Sequence, residues 1–397
     1  MSDWQQIALG DLLTRVRRKV AVEDGVTYPA VSVQMYGRGL GEKEAFTGGV
    51  SKYTTLNTVR ENDVVLRTIT AFEAPTGVAR AEHDGTHVSG AFITYEVDQR
   101  ALPAFLGLYF QTPAFWDEMQ NRASGTVLRR KTISDASFRA IPFALPPLLT
   151  QERINEVIGV VDDQITALDE EGEALDRLST AVAGDLLSNE PIVALGTILD
   201  DIRGGRSPQA DTRPPGADEH GVLKVSAVTP FRFLPEESKA LLPGTPMPEL
   251  ALVQPGDVLI TRANTPLRVG AVARVPADVR NGLYLADKTL RLVPSSKLDP
   301  DFLVVAMALK SARSHLTGSA TGTSASMFNI SQERIRETPI PLPDLDRQRE
   351  VSSAVLSVRA NADAARAEAA RLRDTRSCLL AGLLDRTIDI ESTEQEV

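Results

Sequence analysis

Apolar positions along this chain follow two regimes. In the first, short apolar runs are bounded by Gly, Pro and polar residues. Asp63–Leu66, Gly77–Ala81, Ala91–Val97, Asp257–Ile260 and Leu290–Val293 are of this kind and predict strands. Pro103–Gln120 and Pro300–Leu316 predict helices, with Pro in the first turn of each. In the second regime the period is seven. Ile154, Val161, Leu168, Leu175 and Val182 recur at that spacing. Ile158, Ile165 and Leu186 fill the intervening core position, with Gly172 and Ser179 as gaps. The register returns at Val351, Val358, Ala365, Leu372 and Leu379, with Val355, Ala362, Ala369, Arg376 and Leu383 between them. A seven-residue apolar repeat buries one stripe of a helix against another helix. Two such helices predict a mutual pair, each about 55 Å long at 1.5 Å per residue. The alternative is that each packs on its own globular block. The small residues and Arg376 in the second seam imply close approach, or a surface left for a partner.

Both regimes occur twice in the same order. Ile7-Ala8-Leu9-Gly10 returns as Val193-Ala194-Leu195-Gly196, and Asp63-Val64-Val65-Leu66 as Asp257-Val258-Leu259-Ile260. Val78-Ala79-Arg80 returns as Val272-Ala273-Arg274. Further on, Gly125-Thr126, Ile133-Ser134, Pro142, Gln151 and Leu186-Leu187 match Gly322-Thr323, Ile330-Ser331, Pro339, Gln348 and Leu383-Leu384 at a constant offset of 197. Two copies are too few for a solenoid. The expected fold class is α+β. Two similar α/β domains, 1–145 and 191–342, are separated by long helices in 146–190 and 343–390. The helices form an antiparallel coiled coil, the whole is a pseudo-two-fold internal repeat, and a flexible tail occupies 391–397.

Charge changes the picture only through its distribution. The net charge of −10 argues at first against a nucleic-acid partner. Residues 1–140 are neutral, however, and 191–338 carry +2, while 141–190 carry −9 and 339–397 carry −3. The acidity lies in the long helices, so either globular block can hold a local basic face. One cysteine, Cys378, excludes an internal disulfide and suits a reducing cytoplasm. The N-terminal residues do not read as a secretory signal, and the longest apolar run, near Phe302–Leu309, is too short to span a bilayer.

These segments resemble the specificity subunits of type I restriction-modification systems. The resemblance is carried by Ile202-Arg-Gly-Gly-Arg-Ser-Pro208, by Pro255-Gly-Asp-Val-Leu-Ile-Thr-Arg262, by Gly322-Thr-Ser-Ala-Ser-Met-Phe-Asn-Ile-Ser331 and by Pro339-Ile-Pro-Leu-Pro343 with Leu345 and Gln348. The first copy departs from the pattern: Asn62 replaces Gly256, and Arg17-Arg18-Lys19 stands where the second copy has its Gly-Gly opening. The resemblance implies two target-recognition domains, each reading one half of a split, asymmetric site on double-stranded DNA. It implies that the helices act as a ruler and dock two modification subunits. Those partners carry S-adenosylmethionine and methylate adenine, and restriction subunits that translocate and cut DNA can join them. No cofactor is expected on this chain. About 55 Å of helix suits half-sites separated by roughly ten or more base pairs at 3.4 Å each.

Phosphate contacts position a domain and base-edge contacts specify sequence, so candidates are cations and amides beside glycines and at strand ends. In the first domain these are Arg129, Arg130 and Lys131 after Gly125-Thr126, the cluster Arg17, Arg18 and Lys19, Arg38 and Lys43 in a Gly-rich loop, and Arg67 at a strand end. In the second they are Arg203 and Arg206 flanking the Gly-Gly turn, Arg262, Asn264 and Arg268 after a strand, and Ser324 and Asn329. Arg can pair with guanine and Asn with adenine in the major groove. Each of these can equally be a solvated surface group. The stripe positions Ile154, Val161, Leu168, Leu175, Val351, Val358, Leu372 and Leu379 are the partner-binding candidates.

Complete catalytic motifs are missing. There is no Asn/Asp-Pro-Pro-aromatic motif of an amino-methyltransferase and no Gly-x-Ser-x-Gly elbow. Gly37-Arg-Gly-Leu-Gly-Glu-Lys43 has the wrong spacing for a P-loop. His83 and His87 have Gly85 between them in a turn-like stretch and are not expected to bind metal. Glu237-Ser-Lys239 mimics part of a nuclease motif, but such triplets are common. Cys378 is expected to be inert packing inside a helix. The chain therefore reads as a non-catalytic recognition subunit. The alternatives are a scaffold of a related defence assembly that no longer reads DNA, separable by salt-dependent binding to a bipartite duplex, and a cryptic nuclease or methyltransferase, separable by activity of the purified chain.

Overall fold

The computed structural model describes residues 4–126, 131–265, 268–318, 321–324 and 327–390, so the tail expected at 391–397 lies outside the described residues. The chain divides into two units, Met1–Leu168 with Glu368–Val397, and Asp169–Ala367. Each unit contains one copy of the α/β block and part of each long helix.

In unit 1 the strands are β1 (Gln5–Ala8), β2 (Leu13–Val16), β3 (Lys19–Ala21), β4 (Thr27–Val33), β5 (Leu40–Thr47), β6 (Thr55–Thr58), β7 (Val64–Arg67), β8 (Thr76–Val78), β9 (His87–Val88) and β10 (Phe92–Val97). The helices α1 (Pro103–Tyr109), α2 (Pro113–Arg122) and α3 (Asp135–Arg139) follow, then β11 (Pro142–Leu145) and the long α4 (Leu148–Leu186). One sheet has the order β2-β10-β7-β8, a second the order β3-β6-β9-β4-β5, and β1 pairs with β11. The core beneath them gathers Leu9, Leu66, Phe105, Phe115 and Phe138, and is closed by Ile154 and Ile158 of α4 with Leu380 and Leu383 of the last helix.

Unit 2 repeats this plan with β12 (Ile192–Ala194), β13 (Leu199–Gly204), β14 (Gly221–Leu223), β15 (Val228–Thr229), β16 (Arg232–Phe233), β17 (Ser238–Ala240), β18 (Val258–Thr261), β19 (Ala263–Asn264), β20 (Val272–Arg274), β21 (Leu283–Tyr284) and β22 (Thr289–Pro294). Next come α5 (Pro300–Ala308), α6 (Lys310–Gly318), β23 (Thr321–Ser324), β24 (Met327–Asn329), α7 (Gln332–Arg336), β25 (Pro339–Pro341) and the long α8 (Leu345–Leu384). The sheet β13-β22-β18-β20 matches β2-β10-β7-β8 strand for strand, and β12-β25 matches β1-β11. The second sheet differs, being reduced to β17-β14-β21 with small pairings beside it.

The repeated residues are those whose chemistry the framework demands. Ser134 and Ser331 are N-caps, accepting the N–H of Ser137 at 3.1 Å and of Arg334 at 3.2 Å. At Gly10 and Gly196 an added Cβ would meet the Cβ of Arg139 at 2.9 Å and of Arg336 at 2.7 Å, so only glycine lets α3 and α7 approach. Asn62 and Gly256 share a left-handed backbone, with φ of 68° and 83°. Asn is one of the few side chains that tolerates this, which explains the substitution between copies. Gln151 and Gln348 are buried clamps. Gln151 Oε1 accepts the Leu102 N–H at 2.7 Å, and its Nε2 donates to the carbonyls of Arg100 and Pro146. Gln348 makes the same three bonds to Asp299, Lys297 and Pro343.

Two helix expectations need correction. Pro103–Gln120 and Pro300–Leu316 do not form single helices. Pro113 restarts the first behind the Thr112 cap, because a proline ring cannot continue the hydrogen-bond ladder. Leu309 leaves the helical region with ψ of 148° and divides the second.

In each unit the long helices pair antiparallel, as their register predicts. In unit 1 Arg376 of α8 forms an ion pair with Asp162 of α4. In unit 2 Asp176 of α4 takes both Arg359 and Arg366 of α8, and Arg359 also lies 3.7 Å above the Phe231 ring. The stripe positions named as partner-binding therefore face inward. Ile154, Leu168 and Val351 are buried, and Val161, Leu175, Val358, Leu372 and Leu379 are half-buried. They join helix to helix and to the domains. On α4 the large apolar side chains left exposed are Leu148, Leu149, Val157, Val160 and Leu178, on its outer face. Cys378 also departs from expectation, being exposed on α8 because its position falls off the seam. Among the described residues no helix is long and apolar enough to cross a membrane.

Candidate nucleic-acid interface

In both units the segment after the third sheet strand meets the returning end of the Gly-rich segment. In unit 1, Ile69 and Ser124 bridge to Thr132, the Ile133 N–H donates to the Thr68 carbonyl at 3.0 Å, and the Ala71 N–H to that of Lys131 at 3.1 Å. In unit 2, Ala263 and Asn264 pair with Asn329 and Phe328, β23 pairs alongside, and the Ile330 N–H donates to the Arg262 carbonyl at 2.8 Å. Segments separately proposed from sequence are thus brought together twice. In unit 2 these are Arg262, Asn264 and Asn329, with Ser324 in the backbone of β23. In unit 1 they are Arg67 and Lys131, while Arg129 and Arg130 lie outside the described residues.

Backbone strain marks the unit 1 cluster. Thr70 and Ala74 both have positive φ, 57° and 45°, on either side of a single helical turn. Such conformations persist where the surroundings hold them, and they gather at functional sites. Here Arg67 supplies part of the hold, donating to Thr70 Oγ1 at 2.7 Å and pairing with Glu73 at 3.5 Å.

The cations divide into committed and available groups. Arg18 turns inward, donating to both oxygens of the buried Asp63 at 2.6 and 3.1 Å and to Glu96 at 2.7 Å. Burial pushes the Asp63 carboxyl above its ordinary range, against the pull of Arg18 and of the Arg60 N–H. Arg203 is held by Asp201 at 2.9 Å. Arg18 and Arg203 are therefore committed to carboxylates within the protein, and Arg67 to Thr70 and Glu73, so they are not free cations. The side chains of Arg17, Lys19, Arg38, Arg206, Arg262 and Arg268 have no hydrogen bond or ion pair among the described residues, and all are exposed except the half-buried Arg262. Lys43 is exposed and lies over the Phe46 ring.

Three side chains escaped the sequence reading. Arg291 in β22 lies beneath the unit 2 sheet, paired with Asp257 at 2.6 Å and donating to the Leu250 carbonyl at 3.1 Å. Arg280 holds the carbonyls of Pro215, Gly216, Ala217 and Glu219, and so shapes the Pro-rich loop that follows the Gly-Gly opening. Arg15 shares the exposed side of its strand with Arg17, and only this period-two alternation could have signalled it.

The same loop carries a titratable clasp. Arg213 donates to Glu219 Oε1 at 2.6 Å, and the Gly216 N–H donates to Oε2 at 2.7 Å. Arg213, then the Gly216 N–H, holds the Glu219 carboxyl down at about 2. A lowered carboxylate value contributes stability above its unfolded value, lost as pH falls through the folded one. The loop is expected to stay clasped above pH ~4.5 and to open as pH falls towards 2. Carbon-detected NMR titration should place Glu219 near 2 and return it towards ~4.3 in Arg213→Ala; an ordinary value in both proteins would refute the clasp.

The other chemical candidates are occupied elsewhere. His83 Nδ1 accepts the Arg80 N–H at 3.0 Å, His87 Nδ1 lies 3.1 Å from the Pro29 carbonyl, and Glu237 binds Ser226 and Lys224. Among the described residues no group of three or more His, Cys, Asp or Glu is placed to hold a metal ion.

The class is then a duplicated α+β display scaffold. One sheet framework occurs twice, each time presenting a different set of polar loop residues, and long helices are built into both copies. Residues 1–175 match the family model for the type I restriction modification DNA specificity domain. The type I restriction enzyme EcoEI specificity subunit of Escherichia coli is 32% identical over 164 residues, 41% of this chain; the match spans 27% of that protein's length. The fold is similar to a chain from a solved structure on complex assembly and conformational transition of the type I R-M system. The TM-score is 0.55 at 17% identity, covering 97% of this chain and 98% of that one. It is also similar to the type I restriction-modification S subunit from M. genitalium, at TM-score 0.50 and 14% identity over 96% of each chain.

Proposed function

We propose that this chain is the DNA-recognition subunit of a type I restriction-modification complex. The α/β block of each unit reads one half of a bipartite, asymmetric site. The long helices set the interval between the half-sites and dock two modification subunits through the outer face of α4. Chemistry lies with the partners: S-adenosylmethionine and adenine methylation on the modification subunits, translocation and cleavage on any restriction subunits. One observation carries the reading. The framework is conserved between the copies while the displayed residues differ, Arg262, Asn264 and Asn329 in unit 2 against Thr70 and Lys131 in unit 1. Equivalent scaffolds with unlike displays suit two unlike half-sites.

The test is to co-express the chain with its modification subunits in a methylation-free host and map methylated adenines by sequencing. A split motif with unequal halves is expected. Changing Arg262, Asn264 and Arg268 together to Ala should relax one half and leave the other intact, at about 1–3 kcal/mol of discrimination per lost base contact. A contiguous motif, or both halves changing together, would overturn the proposal.

A further inference from the structure

Unit 1 holds a small basic cleft of about 160 Å³ where its two sheets meet. Strand β2 pairs with β10 as far as Val16 opposite Thr94, and β3 begins its pairing with β6 at Lys19 opposite Asn57. Between them the chain crosses from one sheet to the other. Arg18 turns inward to Asp63 and Glu96 at this crossing. Its neighbours turn outward, so Arg15, Arg17 and Lys19 share the open side and line the cleft. No carboxylate lines it. Arg17 and Lys19 have no partner among the described residues, and Arg15 has only Asp135, 3.7 Å away. At the cleft wall the buried Asn57 Oδ1 has no hydrogen-bond partner. Which end of an amide carries oxygen is an assignment, so this side chain can equally present its N–H donors.

The arrangement asks for an anion with several acceptor oxygens. At ~30 Å³ per water the cleft has room for roughly five waters, space for a single phosphodiester. Four residues of extended chain spread the three charges over about 13 Å, which suits a continuous polyanion better than a free ion. Among the described residues unit 2 has no equivalent. A bulge after Leu199 shifts the register, so Ile202 lies opposite Leu292 where Arg15 lies opposite Tyr95, and Arg203 is bound by Asp201.

We infer that this cleft seats a backbone phosphate of duplex DNA, with Arg15, Arg17, Lys19 and Asn57 as its ligands, and that unit 1 alone grips DNA in this way. The inference rests on the DNA-reading function proposed above. The full chain is titrated with a random-sequence 40-base-pair duplex across a range of salt concentrations. Each neutralised phosphate contributes a slope of about −0.9 to log affinity against log salt. In Arg15→Gln/Arg17→Gln/Lys19→Gln the slope should become shallower by about one unit, with affinity falling at least ~10-fold at low salt. Asn57→Asp, which places one carboxylate in the cleft, should weaken binding with all three cations intact. The charge-matched control Arg177→Gln/Arg349→Gln/Arg371→Gln should keep the wild-type slope. If the wild-type chain binds with a steep slope and the cleft triple variant keeps it, the cleft is not a phosphate site, while the DNA-reading function stands. If the wild-type chain shows no salt-dependent binding to duplex, the function and the cleft assignment fall together.

Discussion

Gln151→Ala should lower the stability of unit 1 by about 3 kcal/mol, since three hydrogen bonds are lost and buried groups are left unpaired. Leu102 loses the acceptor for its N–H, and the Arg100 and Pro146 carbonyls lose their donor. These groups lie where α1 begins and where the chain enters α4, so the loss falls at the junction between domain and helix. Gln348→Ala should have the same effect in unit 2 through Asp299, Lys297 and Pro343. The duplication supplies an internal control: two sites 197 residues apart with the same three contacts should give the same number. Denaturant unfolding of the full chain, with amide exchange at Leu102 and Asp299 to assign each loss, measures it. Losses below 1 kcal/mol at both sites would show that water replaces the clamp.

A second large effect is expected at Arg291. Its side chain and that of Asp257 are both nearly buried, at 10% and 14% exposure. Removing one member of a buried pair typically costs about 3–5 kcal/mol, because the other charge stays buried and unpaired. Arg291→Met should reach that range, since the Leu250 and Leu252 carbonyls also lose their donor. Burial already pushes the Asp257 carboxyl above its ordinary range, against the Gln254 N–H and Arg291. A raised carboxyl value contributes stability below the unfolded value, lost as pH rises through the folded one. Without Arg291 that value rises further, so the deficit should be greatest at neutral pH and smaller near pH 4. Thermal melts at the two pH values decide this; an equal deficit at both would mean that Asp257 is not the source of the penalty.

The duplication was legible because its markers are residues with few substitutes. A capping Ser, a Gly under a crossing backbone and a buried Gln with three partners cannot drift far, and Gly10, Ser134 and Gln151 recur as Gly196, Ser331 and Gln348. The helix seam was legible for the same reason, as a period that packing imposes. Long-range ion pairs were not. Asp63 and Asp257 are equivalent, yet one is met by Arg18 from the β2–β3 crossing and the other by Arg291 from β22. The requirement is a cation in a place, and several chain positions can deliver one. Arg280 was invisible because its four ligands are main-chain carbonyls, which leave no mark in side-chain identity. At the candidate interface, glycines and strand ends pointed to segments that the fold brings together. Which cations were free could be decided only by knowing where the carboxylates lie.

The membership of unit 1 has a consequence for synthesis on the ribosome. Its core needs Leu380 and Leu383, which are made after the whole of unit 2, one uninterrupted stretch, Asp169–Ala367. The domain translated first must therefore wait, with Phe105 and Phe138 incompletely covered, until the one translated second has emerged. A chain stalled before α8 is complete leaves its earliest-made half without a lid, and such nascent chains should be the ones that chaperones and proteases encounter.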